Sequence, residues 1–260
     1  MKPMPALFIG HGSPMNAIEP GPATAAWREL AAALPRPRAI LCVSAHWYTR
    51  GTGVTAMAQP RTIHDFYGFP PALYACRYAA PGDPALAARV QQLLAPTAVA
   101  ADEQWGLDHG SWSVLLYMYP QADVPVLQLS IDGELGAAEH VALARRLQPL
   151  RDEGVLILGS GNVVHNLRRM VRAVDAPAAP WASRFENLVR QAWLARDDES
   201  LIDTARHGED ATLSIPTPEH YLPLLYVLAQ RRDGEAVSVP YTRLENSTLS
   251  MLCAQVGALD

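Results

Sequence analysis

The feature that most limits how this chain can fold is the alternation of short, almost wholly apolar runs with stretches of helical period. Residues 6–9 (ALFI), 39–45 (AILCVSA) and 155–158 (VLIL) are apolar at successive positions rather than at every second one. A strand buried on both faces needs that pattern. The segments 124–131 and 53–57 read as further strands, the latter paired with 39–45, and 248–256 as a last one. Between them, 22–34 carries Trp27, Leu30 and Leu34 at helical spacing and stops at Pro35. Asp83-Pro84 opens a helix with Leu86, Val90, Leu93 and Leu94 on one face, and 137–150 and 181–194 are helical. Helical period returns over 221–231, with Pro223 confined to the first turn. Strand and helix in alternation predict an α/β fold in a single domain, residues 1–260, whose central mostly parallel or mixed sheet carries helices on both faces. The charged share is 18%, below the usual quarter or so, so much of the chain must be interior. Residues 58–82 break the alternation with proline, glycine and aromatics; a stretch of that length without elements of its own reads as a binding loop.

Several function classes are excluded early. The net charge is −5, and the densest basic group, Arg168, Arg169 and Arg172, reads as a solvated helix face, so no nucleic-acid partner is expected. No apolar run reaches the roughly 18 residues of a membrane helix, and the apolar stretch after Met1 is too short for a signal peptide. Cys42, Cys76 and Cys253 are unclustered, which fits a reduced, cytoplasmic setting without disulfides or zinc fingers. Cys42 reads as a small core residue, and His140 and His207 as surface residues on helices.

The other histidines follow the strand pattern. His11 comes directly after the first strand, His46 after the second, His165 shortly after 155–158, and His220 near the start of the 221–231 helix. In open α/β sheets ligands bind beyond the carboxyl ends of the strands. Each histidine alone could be an ordinary hydrogen-bonded residue; together they are candidates for one site. No H-E-x-x-H, C-x-x-C, nucleophile elbow or phosphate-binding loop occurs, and GSGNVV at 159–164 is half a dinucleotide fingerprint without its third glycine. In the long loop, His64, Asp65, Tyr67 and Phe69 could line a pocket for an aromatic ring or simply pack as an aromatic loop.

GHGSPMN at 10–16, VSAHW at 43–47, TIHDFYGFP at 62–70, WGLDHGSW at 105–112, GSGNVVHNL at 159–167 and PTPEHYLPLLYV at 216–227 together resemble the 4,5-DOPA extradiol dioxygenase family, of the class III (LigB-type) ring-cleaving dioxygenases. The resemblance implies a mononuclear non-haem metal site and insertion of both atoms of O2 into a catechol, with 4,5-cleavage of L-DOPA to 4,5-seco-dopa as the expected reaction. It implies His11, His46 and His220 as metal ligands, with Glu219 as the alternative third. His165 is either a fourth ligand or a base beside the metal. His109 is a second acid/base or substrate-orienting group, with Asp108 beside it to orient an imidazole. Fe(II) is the expected working metal, because zinc has no redox chemistry, and Zn(II) a possible substitute. The expected partners are the catechol and O2, with the protein a monomer or small homo-oligomer. A zinc-dependent hydrolase using the same histidines, or a non-enzymatic metal or catechol binder, are the alternatives.

Overall fold

The apolar runs become neighbouring strands. In the computed structural model, which describes residues 2–258, the strands are β1 (Ala6–Gly10), β2 (Ala39–Thr49), β3 (Thr52–Thr55), β4 (Val99–Asp102), β5 (Val126–Asp132), β6 (Val155–Gly161), β7 (Val237–Tyr241), β8 (Leu244–Glu245), β9 (Leu249–Ser250) and β10 (Cys253–Val256). Met1, Leu259 and Asp260, the ends of the expected 1–260 domain, lie outside the described residues. Eight strands form one mixed sheet in the order β4-β3-β5-β2-β6-β1-β10-β7, and β8 and β9 pair separately. The four central strands, β5, β2, β6 and β1, run parallel. The direction reverses on either side of them, at β3 against β5 and at β10 against β1; β4 then runs parallel to β3, and β7 antiparallel to β10.

The sheet separates two cores, as wholly apolar strands require. Leu7, Ile9, Ile40, Cys42, Leu156 and Leu158 face the layer that holds Trp27, Leu30 and Trp112. Phe8, Leu41, Val43, Leu127, Leu129 and Ile157 face Val141, Phe185, Leu224 and Leu225. Cys42 is fully buried in the first core, as its apolar setting implied. Among the described residues no helix is long and apolar enough to cross a membrane.

The departures from expectation have physical causes. β2 runs on to Thr49, so His46 lies inside a strand rather than after it, where the pairing with β5 is irregular between Val43 and Tyr48. β3 pairs with β4 and β5, not with β2. The 137–150 helix is two pieces, Ala137–Arg145 and Pro149–Asp152, because Pro149 has no N–H with which to continue the first. The helix His109–Met118 carries no sequence signal, since nine of its ten residues are buried and no polar face sets a period. The long loop contains one turn of helix, Pro71–Tyr74. Arg168, Arg169 and Arg172 are exposed, but only a single 3-10 turn, Leu167–Arg169, lies under them. His140 is not at the surface: it is fully buried, with Nδ1 3.0 Å from the Tyr226 hydroxyl. His207 is half-buried, its Nε2 2.9 Å from the Ser200 carbonyl.

Candidate active site

Five of the six motif histidines, all but His64, reach one place from the carboxyl edge of the parallel strands. His11 follows β1, and its N–H donates to the Gly161 carbonyl at the end of β6. His46 sits at the irregular pairing in β2. His109 opens the helix His109–Met118, whose N-cap is Asp108. His165 follows β6, its backbone tied to the Ser214 carbonyl at 2.9 Å. His220 precedes the helix Leu222–Leu228, and its carbonyl accepts from the N–H of Asn162 at 2.8 Å.

Glycines make these approaches possible. A Cβ on Gly161 would lie 2.1 Å from the His220 carbonyl oxygen, and one on Gly159 2.4 Å from that of Pro223. The GSG sequence therefore lets the His220 turn lie flat on β6, and its likeness to a dinucleotide fingerprint is accounted for by packing. Gly110 does the same for His46: a Cβ there would meet Ser44 Oγ at 2.5 Å and His46 Cδ2 at 2.9 Å.

The Nε2 atoms of His11 and His46 are 3.1 Å apart. The His46 ring centroid lies 3.9 Å from that of His109 and 5.2 Å from that of His220, and His11 is 5.5 Å from His220. His165 stacks on His220 with centroids 3.5 Å apart and planes 6° from parallel. In four of the five, Nδ1 has a partner: Ser160 Oγ at 3.0 Å for His11, Asp65 Oδ2 at 2.8 Å for His109 and 3.3 Å for His46, and Glu219 Oε1 at 3.3 Å for His220. Ser160 donates its own proton to the Gly110 carbonyl, so its oxygen accepts from His11. The Nε2 edges are left as the free nitrogens. His11, His46 and His109 can each offer one ring nitrogen such that the three lie within 4.8 Å of one another. His220 Nε2 is buried with no hydrogen-bond partner among the described residues, which leaves it available to a ligand.

Burial, followed by repulsion among the histidines, holds His11 and His220 well below the ordinary imidazole value. Burial brings His46 down to about 3 against the opposing charge of Asp65, and His165 to about 4 against that of Glu219. These imidazoles are neutral at pH 7, the form that binds a metal. A set of neutral nitrogens with outer hydrogen-bond acceptors fits a divalent transition metal.

Asp108 does not orient an imidazole. Its carboxylate caps the helix at the Ser111 N–H and accepts from Ser44 Oγ at 2.7 Å and Gln128 Nε2 at 2.6 Å. Burial, with Asp65 nearby, pushes it up to about 6. Asp65 orients His109 instead. Burial alone would raise Asp65, but hydrogen bonds from His109 and the charges beside it bring it down to about 2. His64 is turned into the loop, with Nε2 3.1 Å from the Cys76 carbonyl and its ring packed against Phe66 and Trp112. Phe69 packs edge-on to Phe66, whereas Tyr67 is 91% exposed at the loop tip, outside this cluster. Phe66, buried and 5.6 Å from the His109 ring, and Ser160 are site neighbours that the sequence reading missed. Both lie inside motifs it had marked, but nothing local distinguishes a residue that touches an imidazole from one that packs beside it.

Known proteins resemble this chain over most of its length. A crystal structure of an uncharacterized protein from Escherichia coli K12 superposes with a TM-score of 0.85 at 49% identity, covering 98% of this chain and 100% of the other. A 4,5-DOPA dioxygenase extradiol from Escherichia coli is 53% identical over 98% of this chain and 95% of its own length. One from Beta vulgaris is 41% identical over 84% of this chain and 83% of its own length. The family described as the catalytic LigB subunit of aromatic ring-opening dioxygenase matches residues 5–237. The chain belongs to the LigB family and is an aromatic ring-opening dioxygenase.

Proposed function

We propose that this enzyme cleaves L-DOPA at the 4,5 bond, inserting both atoms of O2 to give 4,5-seco-dopa, with Fe(II) as its working metal. The observation that carries this reading is the convergence of neutral imidazoles with outward Nδ1 contacts and one partnerless buried nitrogen, His220 Nε2. The bacterial and plant relatives named for DOPA supply the substrate class. His11, His46 and His220 are the metal ligands, and Glu219, whose Oε1 accepts from Thr217 and His220, steadies the last of them rather than binding the metal. The metal held by these residues would supply one-electron exchange with O2 when it is iron, chemistry that zinc lacks. His109 takes a catechol proton at Nε2. His165, stacked on His220 and within the reach of the same site, is the second proton carrier. Phe66 and Phe69, with His64 behind them, form the aromatic wall for the ring, while Tyr67 stands at its outer rim. We assign the enzyme to the cytoplasm, where Cys42, Cys76 and Cys253 stay reduced.

The test is to strip the protein of metal, reload it with Fe(II) under argon, add L-DOPA and then admit air. One O2 should be consumed per yellow product formed. Cleavage that runs equally well with zinc alone, or without oxygen, overturns the reading in favour of metal-assisted hydrolysis.

A further inference from the structure

Asp65 makes the most constrained polar contact in the site, and neither a ligand role nor a substrate role accounts for it. Its Oδ1 accepts from the backbone N–H of His109 at 2.9 Å while Oδ2 sits 2.8 Å from His109 Nδ1. With one oxygen fixed by a backbone group, the carboxylate cannot rotate away from the ring without losing that bond. The loop beneath it is anchored as well. The Ile63 N–H donates to the Leu107 carbonyl, Trp112 Nε1 donates to the Ile63 carbonyl at 2.7 Å, and Phe66 is buried against the His109 ring. The same Oδ2 lies 3.3 Å from His46 Nδ1.

An ionised carboxylate only accepts hydrogen bonds. Nδ1 of His109 is therefore the donor, and in the neutral ring Nε2 is bare. We propose that Asp65 is the positioning residue that selects this tautomer, and so makes His109 a base. The proposal rests on the reading of His109 as the group that takes the catechol proton. It gives the aromatic loop two roles, since the segment that walls the ring pocket also sets the proton inventory of the site.

Asp65→Asn reverses the hydrogen-bond polarity at His109 Nδ1 with little change in shape, and bound-metal analysis of the variant checks that His46, whose Nδ1 faces the same oxygen, still binds metal. The amide oxygen keeps the His109 backbone N–H, which needs an acceptor, so the NH2 group faces Nδ1. A donor there demands a bare Nδ1 and moves the ring proton to Nε2. An Asp-to-Asn change behind the base histidine of a serine protease costs about 10,000-fold in kcat by the same route.

The experiment is 15N NMR of the histidine rings in the Zn(II)-loaded protein, with oxygen-uptake kinetics on the Fe(II)-loaded protein and L-DOPA. The parent should show His109 protonated at Nδ1 with a bare Nε2. Asp65→Asn should show the reverse, lose at least about 100-fold in kcat and keep KM within about threefold. Asp65→Glu should restore the parent tautomer and part of kcat. A parent His109 protonated at Nε2, or showing a zinc-bound shift there, overturns the proposal even if the Asn variant does not fold. A flipped tautomer with unchanged kcat overturns it too. Separately, a His109→Gln variant with the parent's kcat overturns the acid/base reading of His109 itself, while leaving the tautomer measurement intact.

Discussion

The imidazoles of the site differ in what steadies their outer nitrogen, and that difference should be measurable residue by residue. His11 leans on a serine that is itself fixed to the Gly110 carbonyl, and His220 on a carboxylate that also holds Thr217. His11→Ala removes a nitrogen of the proposed ligand set, and the variant should not retain stoichiometric metal after dialysis against Zn(II) and analysis of bound metal. Glu219→Gln removes only an outer acceptor and should weaken metal affinity by about 10–100-fold, read as a shift in a competitive chelator titration. If Glu219 were the third ligand in place of His220, the Gln variant would lose the metal outright and His220→Ala would keep it. The residue types of this set were legible in the sequence, because histidines at strand ends are contiguous with the apolar runs that define the strands. The carboxylate behind His109 was not legible. Asp108 is adjacent in sequence but points into the cap, and Asp65 acts from 44 positions away.

At the scale of elements, the site depends on how closely a turn and a helix can approach the strands. The helix His109–Met118 begins on Asp108, which also satisfies Ser44 and Gln128 in a fully buried setting. Asp108→Ala loses the cap and strands two buried polar groups, so it should cost about 3 kcal/mol, summed from a typical cap loss and unsatisfied partners. Urea unfolding of the metal-free protein measures this. A loss under about 0.5 kcal/mol, the range of an ordinary surface change, would refute the role. Gly161→Ala places a methyl 2.1 Å from the His220 carbonyl, and strands and turns do not yield that far without repacking. It should destabilise by about 1–3 kcal/mol and reduce metal affinity, because the displaced segment carries His220. Sequence patterns predicted most strands and the amphipathic helices, which advertise themselves through polar–apolar periodicity. The helix at 109–118 and the break at Pro149 show the two ways that pattern reading fails: burial on all sides erases the period, and a shared apolar register hides an interruption.

Over the whole molecule, buried charge and buried histidine set the response to pH and to mutation. Arg151 is fully buried, yet it reaches the carbonyls of Met4 and Gln230 and both oxygens of Glu235, joining the chain's start to the segment before β7. Arg151→Ala leaves two carbonyls without this donor and leaves Glu235 only the Arg232 N–H, and should cost about 3–5 kcal/mol, seen as a large fall in the urea midpoint. In the metal-free protein, His46 at about 3 and His165 at about 4 titrate below the ordinary 6.5 of an unfolded chain. The unfolded chain therefore takes up protons first as the pH falls. The stability tied to these groups is complete above 6.5 and is lost progressively toward pH 4 and below. Asp108, raised to about 6, acts in the opposite sense, its contribution being lost as pH rises. The histidines outnumber it, so the urea midpoint in chelator should be lower at pH 5 than at pH 7, and a midpoint at pH 5 equal to the neutral one would contradict the burial of the cluster. Sequence by itself determined that the chain has strands buried on both faces, and which histidines lie at or near their ends, since each of these is written in contiguous residues. Only the tertiary structure decided that β5, β2, β6 and β1 lie side by side so that the histidines meet, that β2 extends to carry His46 in a strand, and that Asp65 rather than Asp108 faces an imidazole. Those outcomes depend on which distant segments pack together, and no local period encodes that choice.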